Sequence, residues 1–171
     1  DGQYKIIEQI IMIFRTYLQV LFNFIFPRVC FLLAKDHKIG IKNWKIFNGA
    51  NFLLILLACI VLFVFTPEVL GFFNASSIVE LTFYLRFAAF LPLLYAVSIP
   101  LQQLILGYSY QKQYVNITTG AAVFLIVTII AMFSFWQLMG VFSILILTEV
   151  MVIIMYLYTL RTKFLLNRFH K

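Results

Sequence analysis

The run Asn51-Phe52-Leu53-Leu54-Ile55-Leu56-Leu57-Ala58-Cys59-Ile60-Val61-Leu62-Phe63-Val64-Phe65 decides the fold class. Everything in it after Asn51 is apolar, and it stops at Thr66-Pro67. Proline disfavours helix at the residue before it, so the run has a built-in end. Extended back to Phe47, it reaches the roughly 20 residues that a helix needs to cross a bilayer. Four further apolar runs flank it, which gives five expected spans: A, about 6–33; B, 47–65; C, 81–106; D, 117–135; and E, 141–160. Span A is long for one crossing, at about 42 Å for a helical rise of 1.5 Å per residue. Its first half is amphipathic, so it is expected to start along the interface or to tilt. Pro27 is expected to kink it near its end, and Pro92 and Pro100 interrupt span C.

Composition agrees with an all-α membrane protein. Of 171 residues, 64% are hydrophobic and 11% charged, and 20 are Phe. Soluble domains run nearer 45–50% apolar and 25% charged. Disorder needs low hydrophobicity and high charge, the reverse of what is seen. Cys30 and Cys59 both lie in apolar runs and read as buried thiols rather than a bridge or a metal pair. The net charge of +7 comes from clusters between apolar runs, without a long basic tract or zinc spacing, so no nucleic-acid partner is expected.

Those clusters orient the chain. Lys35, Lys38, Lys42 and Lys45 lie between A and B, Lys112 between C and D, and Arg161, Lys163, Arg168 and Lys171 after E. The B–C segment (66–80) and the D–E segment (136–140) hold no Lys or Arg. Positive loops face the cytoplasm. The A–B and C–D loops and the basic tail, 161–171, are thus expected to be cytoplasmic, the tail as a short interfacial helix. His37 and His170, set among basic residues, read as solvated. The sequon-like triplets at Asn74 and Asn116 read as chance. By the same alternation Asp1 lies outside, which requires an upstream span. Together with the missing initiator Met, this reads as a piece of a longer protein.

Ionisable groups within a span are costly and mark sites by default. Arg15, inside span A, is a candidate contact for an anionic substrate, since guanidinium matches phosphate oxygens. The alternative is an interfacial Arg snorkelling to headgroups, which is the better reading for Arg28. Arg86, near the outer end of span C, either lines a cavity or plays a structural part; Glu80 is a candidate partner, although a spacing of six does not stack the two on one helix face. Glu149, near the middle of span E, must be protonated or paired. It is the candidate ion-coupling residue, with a fixed structural pair as the alternative. Gln102 and Gln103 favour a neighbouring helix or a wet cavity over lipid, while the small residues Gly120-Ala121-Ala122 and Gly140 suit close helix contact. There is no nucleophile–His arrangement, acidic metal motif or Gly-rich phosphate loop. No catalytic residue, metal or cofactor is expected, and the chain does not read as an enzyme.

Several stretches, in order, resemble the C-terminal part of an oligosaccharide flippase of the polysaccharide-transporter family (Wzx-like, within the multidrug/oligosaccharidyl-lipid/polysaccharide superfamily). They are Tyr4-Lys5-Ile6-Ile7-Glu8-Gln9-Ile10 leading to Phe26-Pro27-Arg28 and a Lys-rich loop, and Pro67-Glu68-Val69-Leu70-Gly71-Phe72-Phe73. Tyr84-Leu85-Arg86-Phe87 follows, through Leu91-Pro92 and Ile99-Pro100-Leu101 to Leu106-Gly107-Tyr108, then Gly140-Val141 to Thr148-Glu149. The resemblance covers nearly the whole chain and rests on the ordered combination. It implies a twelve-helix transporter of which spans A to E are the eighth to twelfth, with the seventh helix and the N-terminal bundle lying outside this chain. It further implies alternating-access export of an undecaprenyl-diphosphate-linked oligosaccharide, in O-antigen or polysaccharide biosynthesis, across the bacterial inner membrane. Arg15 and Arg86 would then meet substrate. Alternatives are a multidrug antiporter, a lipid-modifying enzyme of the same pathway, and a non-catalytic assembly subunit.

Overall fold

The computed structural model describes residues 2–73, 78–132 and 137–169. Among them lie seven helices: α1 (Gly2–Lys35), α2 (His37–Val64), α3 (Thr66–Phe72), α4 (Ile78–Ala88), α5 (Phe90–Gly107), α6 (Gln111–Met132) and α7 (Gln137–Phe169). There is no strand among the described residues. Five segments are long and apolar enough to cross a membrane: Lys5–Lys35, His37–Val64, Leu81–Gly107, Gln111–Ala131 and Gly140–Thr162. The chain is an all-α, multi-pass membrane protein.

The helices outrun the expected spans, because helix formation does not stop where apolarity does. Span B was expected to begin at 47, after a lysine-bearing loop. Instead α2 begins at His37, and Asp36 alone joins it to α1. The Asp36 carboxylate caps α2, accepting from the backbone N–H of Lys38 at 2.7 Å and of Ile39 at 3.3 Å. Lys38, Lys42 and Lys45 therefore sit on the first turns of a helix. His37 is not simply solvated, for its Nε2 lies 2.7 Å from the Tyr108 hydroxyl. Much of the B–C segment is also helical, as α3 and the start of α4. The tail continues α7 as far as Phe169 instead of forming a separate helix. Most of the expected D–E segment, 137–140, is helical as the start of α7. The Asn74 triplet, residues 133–136, His170, and the side chains of Glu80 and residues 163–171 lie outside the described residues.

The prolines act through the carbonyl four residues upstream, which a proline ring crowds and cannot bond. Pro92 acts on Ala88, where α4 ends, and so lies within the first turn of α5. Pro67 acts on Phe63, next to the end of α2, and occupies the first turn of α3. Pro27 and Pro100 do not end their helices. The expected interruption of span C is thus a single one, set by Pro92.

At the centre of the bundle, α5 packs against α1, α2, α4, α6 and α7. Over its most apolar window, Leu81–Gly107 is 56% buried, against 11% for the peripheral α6. The stripe Ile7, Ile10, Ile11, Leu18, Phe22, Ile25 and Val29 is buried along α1. Its first turns pack with Leu70, Leu81, Leu85 and Phe142. The amphipathic half of span A therefore uses its apolar face on protein. At the α1–α2 hairpin the approach is so close that a Cβ on Gly40 would lie 2.8 Å from the Leu33 backbone. Asn48 Nδ2 donates to Gln103 Oε1 at 3.2 Å, and Trp44 Nε1 to the Pro100 carbonyl at 3.0 Å, tying α2 to α5. One turn along from Asn48, Asn51 Oδ1 is buried with no hydrogen-bond partner. Cys30 and Cys59 are free thiols.

Candidate polar cavity

Four helices contribute polar side chains to one place, and each does so from a single face. Arg15 and Gln19 are one turn apart on α1; Tyr95, Ser98, Ile99 and Gln102 form a stripe on α5. Tyr114, Thr118, Ala121, Ala122 and Leu125 do so on α6, and Thr148, Glu149, Val152 and Tyr156 on α7. These are helical spacings of three, four and seven. They enclose a cavity of about 430 Å³, within the range of small-molecule sites.

Ser98, Thr148 and Tyr156 are buried and form its deep wall, and Arg15 and Gln19 are exposed at its mouth. The Ser98 hydroxyl donates to the Glu149 carboxylate. Gln102 Nε2 donates to the Tyr114 hydroxyl at 3.0 Å. The Arg15 guanidinium stands 5.6 Å from the centre of the Tyr95 ring, within cation–π range. Thr148 and Thr118 return their hydroxyls to their own helices, on the carbonyls of Ile144 at 2.7 Å and Tyr114 at 2.9 Å.

Depth follows from helical rise. Ten residues separate Lys5 from Arg15, about 15 Å, and twelve separate Glu149 from Arg161, about 18 Å. Both groups therefore lie well inside their spans. Tyr114 is only two residues beyond Lys112, so the cavity extends from mid-span toward the lysine-bearing end.

Of the sequence candidates, Arg15, Glu149 and Gln102 meet here. Gln103 points the other way, into the contact with Asn48. Arg86 lies elsewhere. Its Nε donates to the Phe63 carbonyl at 3.2 Å, its guanidinium stands 5.1 Å from the centre of the Phe63 ring, and it borders a separate apolar groove of about 190 Å³ between α2 and α5. Arg28 stands 5.3 Å from the centre of the Phe47 ring. Gly120 is exposed, with nothing within 4 Å of an added Cβ, so it makes no close helix contact; Ala121 and Ala122 line the cavity instead. Among the described residues no group of three His, Cys, Asp or Glu could hold a metal.

Compared with family models, curated proteins and solved structures, the chain matches none.

Sequence reasoning passed over Gln19, Tyr95, Ser98, Tyr114, Thr118, Thr148 and Tyr156. A signal for them exists: each stands at helical spacing from another polar residue within an apolar span. Spacing along one helix does not say which stripes of different helices face each other, and that pairing makes the cavity.

Proposed function

We propose that this chain is the C-terminal helix bundle of an exporter that moves undecaprenyl-diphosphate-linked oligosaccharide across the bacterial inner membrane. In this reading the bundle is non-catalytic and works with an N-terminal bundle of the same protein. The lysine-bearing ends and the C-terminus face the cytoplasm, in line with the distribution of Lys and Arg. The observation that carries the reading is the polar cavity inside an otherwise apolar bundle, with Arg15 at its mouth and Glu149 within. Arginine binds diphosphate oxygens through paired N–H donors. The amides, hydroxyls and tyrosine rings suit a sugar, which needs both hydrogen bonds and apolar faces. Glu149 is the proposed ion-coupling group, and Arg86, outside the cavity, has the weaker claim to substrate contact.

Binding of undecaprenyl-diphosphate oligosaccharide to the chain in nanodiscs tests the proposal, with undecaprenol as control. Arg15→Ala is expected to weaken binding on the order of 10- to 100-fold, the range for a lost charge-assisted hydrogen bond. Unchanged affinity, or equal affinity for undecaprenol, overturns the assignment. Seven further spans encoded in frame upstream are also expected. For Glu149, unaltered pH dependence of transport in a Glu149→Gln variant of the longer protein removes the coupling role.

One observation favours a second reading, a multidrug antiporter. A carboxylate among three tyrosines, Tyr95, Tyr114 and Tyr156, also suits an organic cation. Binding of tetraphenylphosphonium that is lost in Glu149→Gln, without binding of the lipid-linked sugar, selects it.

A further inference from the structure

A second polar site lies at the opposite extreme of character, cationic and at the end of the bundle. His37, Lys38, Ile41, Lys42 and Lys45 line a recess of about 440 Å³ on the first turns of α2. Lys38, Lys42 and Lys45 follow one another at spacings of four and three, so they share one face, and all three are exposed. Ile41 and Trp44, beside them, turn inward against Leu101, Leu104 and Ile105. The lysine face is thereby fixed outward, away from the bundle. The carboxylate nearest in sequence, Asp36, caps the same helix through Oδ1.

The same face continues down the helix through Gly49, Leu53, Ile60 and Val64. Gly49 is exposed, with open space where a side chain would stand. Leu53, Ile60 and Val64 are 64%, 52% and 58% exposed, too much apolar surface for contact with water. Nineteen residues from Lys45 to Val64 span about 29 Å, close to the roughly 30 Å of a hydrocarbon core. Lys45 then lies at the core boundary, and Lys38 about 10 Å further out, in the headgroup layer.

We propose that this face is a binding site for an anionic phospholipid. Lys38, Lys42 and Lys45 hold the headgroup phosphate, and the acyl chains run past Gly49 along Leu53 and Ile60. Charge complementarity selects an anion, and the unbroken path from the lysines onto the lipid-facing surface selects a lipid over free phosphate. The site is independent of the Arg15 cavity and of the transport reading.

The test is lipid retention by the full chain. Native mass spectrometry of protein released from nanodiscs of phosphatidylcholine with graded phosphatidylglycerol counts the bound anionic lipid. Each basic residue near an anionic surface is worth about fivefold in affinity, so Lys38→Gln/Lys42→Gln/Lys45→Gln is expected to lower it on the order of 100-fold. Lys→Arg at the same three positions keeps the charge and is expected to retain binding, which separates a lost site from a lost fold. A control variant, Lys5→Gln/Lys112→Gln/Arg161→Gln, removes equal charge elsewhere and is expected to bind within about fivefold of wild type, the worth of a single charge. An equal loss in both triple variants means diffuse attraction and overturns the site. Displacement of the lipid by millimolar inorganic phosphate, or equal retention of phosphatidylcholine, also overturns it.

Discussion

Arg86 on α4 donates from Nε to the carbonyl of Phe63 on α2 at 3.2 Å. Phe63 is four residues before Pro67, so its carbonyl has lost the N–H that would have continued the helix. Thr66 Oγ1 also reaches it, at 3.1 Å. The guanidinium lies over the Phe63 ring as well. A cation inside an apolar segment is here tied to a backbone group that proline has orphaned.

Arg86→Ala is accordingly expected to cost about 1–2 kcal/mol, the range of a partly exposed charge-assisted hydrogen bond with a cation–π contact. Thermal unfolding in detergent reads it. Affinity for the lipid-linked sugar is expected to stay at the wild-type level, and a loss of affinity without a loss of stability would return Arg86 to the substrate.

Gly40→Ala places a methyl carbon 2.8 Å from the Leu33 backbone. Backbone cannot swing aside as a side-chain tip can, so α1 and α2 must separate at the hairpin. Overpacking of this kind costs about 1–3 kcal/mol. Gly49→Ala, on the same helix with no atom within 4 Å, is the control. It is expected to be neutral or slightly stabilising in the same unfolding measurement, since alanine is the better helix former.

Asn48 and Gln103 form a buried amide pair between α2 and α5. Asn48→Ala removes the donor and leaves Gln103 Oε1 buried without it. The expected loss is about 0.6 kcal/mol, the average for interhelical hydrogen bonds in membranes, and at most about 1.7 kcal/mol. In a double-mutant cycle with Gln103→Leu, the second substitution is expected to cost less once the first is made. Strict additivity would show that the pair is not coupled.

Tyr108 joins α5 to α6, outside the membrane-crossing segments. Burial, and then the neighbouring Tyr110, push its phenol from 10 up to about 12. Between these values the folded protein keeps a proton that the unfolded chain releases. The stability this group contributes is therefore fully present below pH 10 and lost as pH rises through about 12. Tyr108→Phe is expected to flatten that alkaline decline in unfolding experiments, and an unchanged slope would assign the decline to other groups. The hydrogen bond to His37 at 2.7 Å affects the level of stability in this variant without creating the slope.

Much of the bundle was legible before folding. The five spans were visible because a lipid-crossing helix needs a long apolar run, and such a run announces itself one residue at a time. Helix ends were less visible. Lys38 to Lys45 read as loop because they are charged, yet a capped helix continues past the hydrocarbon edge wherever backbone hydrogen bonds are still gained. Pro92 was correctly seen as an interruption, but its effect falls four residues earlier, at Ala88.

The site divides in the same way. Arg15, Gln102 and Glu149 stood out because a polar group in an apolar span is expensive, and that cost is a property of each residue in its own segment. That they share a cavity while Arg86 and Gln103 do not is a matter of which helix faces meet. Sequence alone determined an all-helical membrane bundle and the few polar residues it must accommodate. Only the tertiary structure decided that Ser98 would meet Glu149, that Asn48 would take Gln103, and that the Phe63 carbonyl would take Arg86. Each choice depends on rotation of one helix against another, which the packing of the apolar stripes fixes and no single helix encodes.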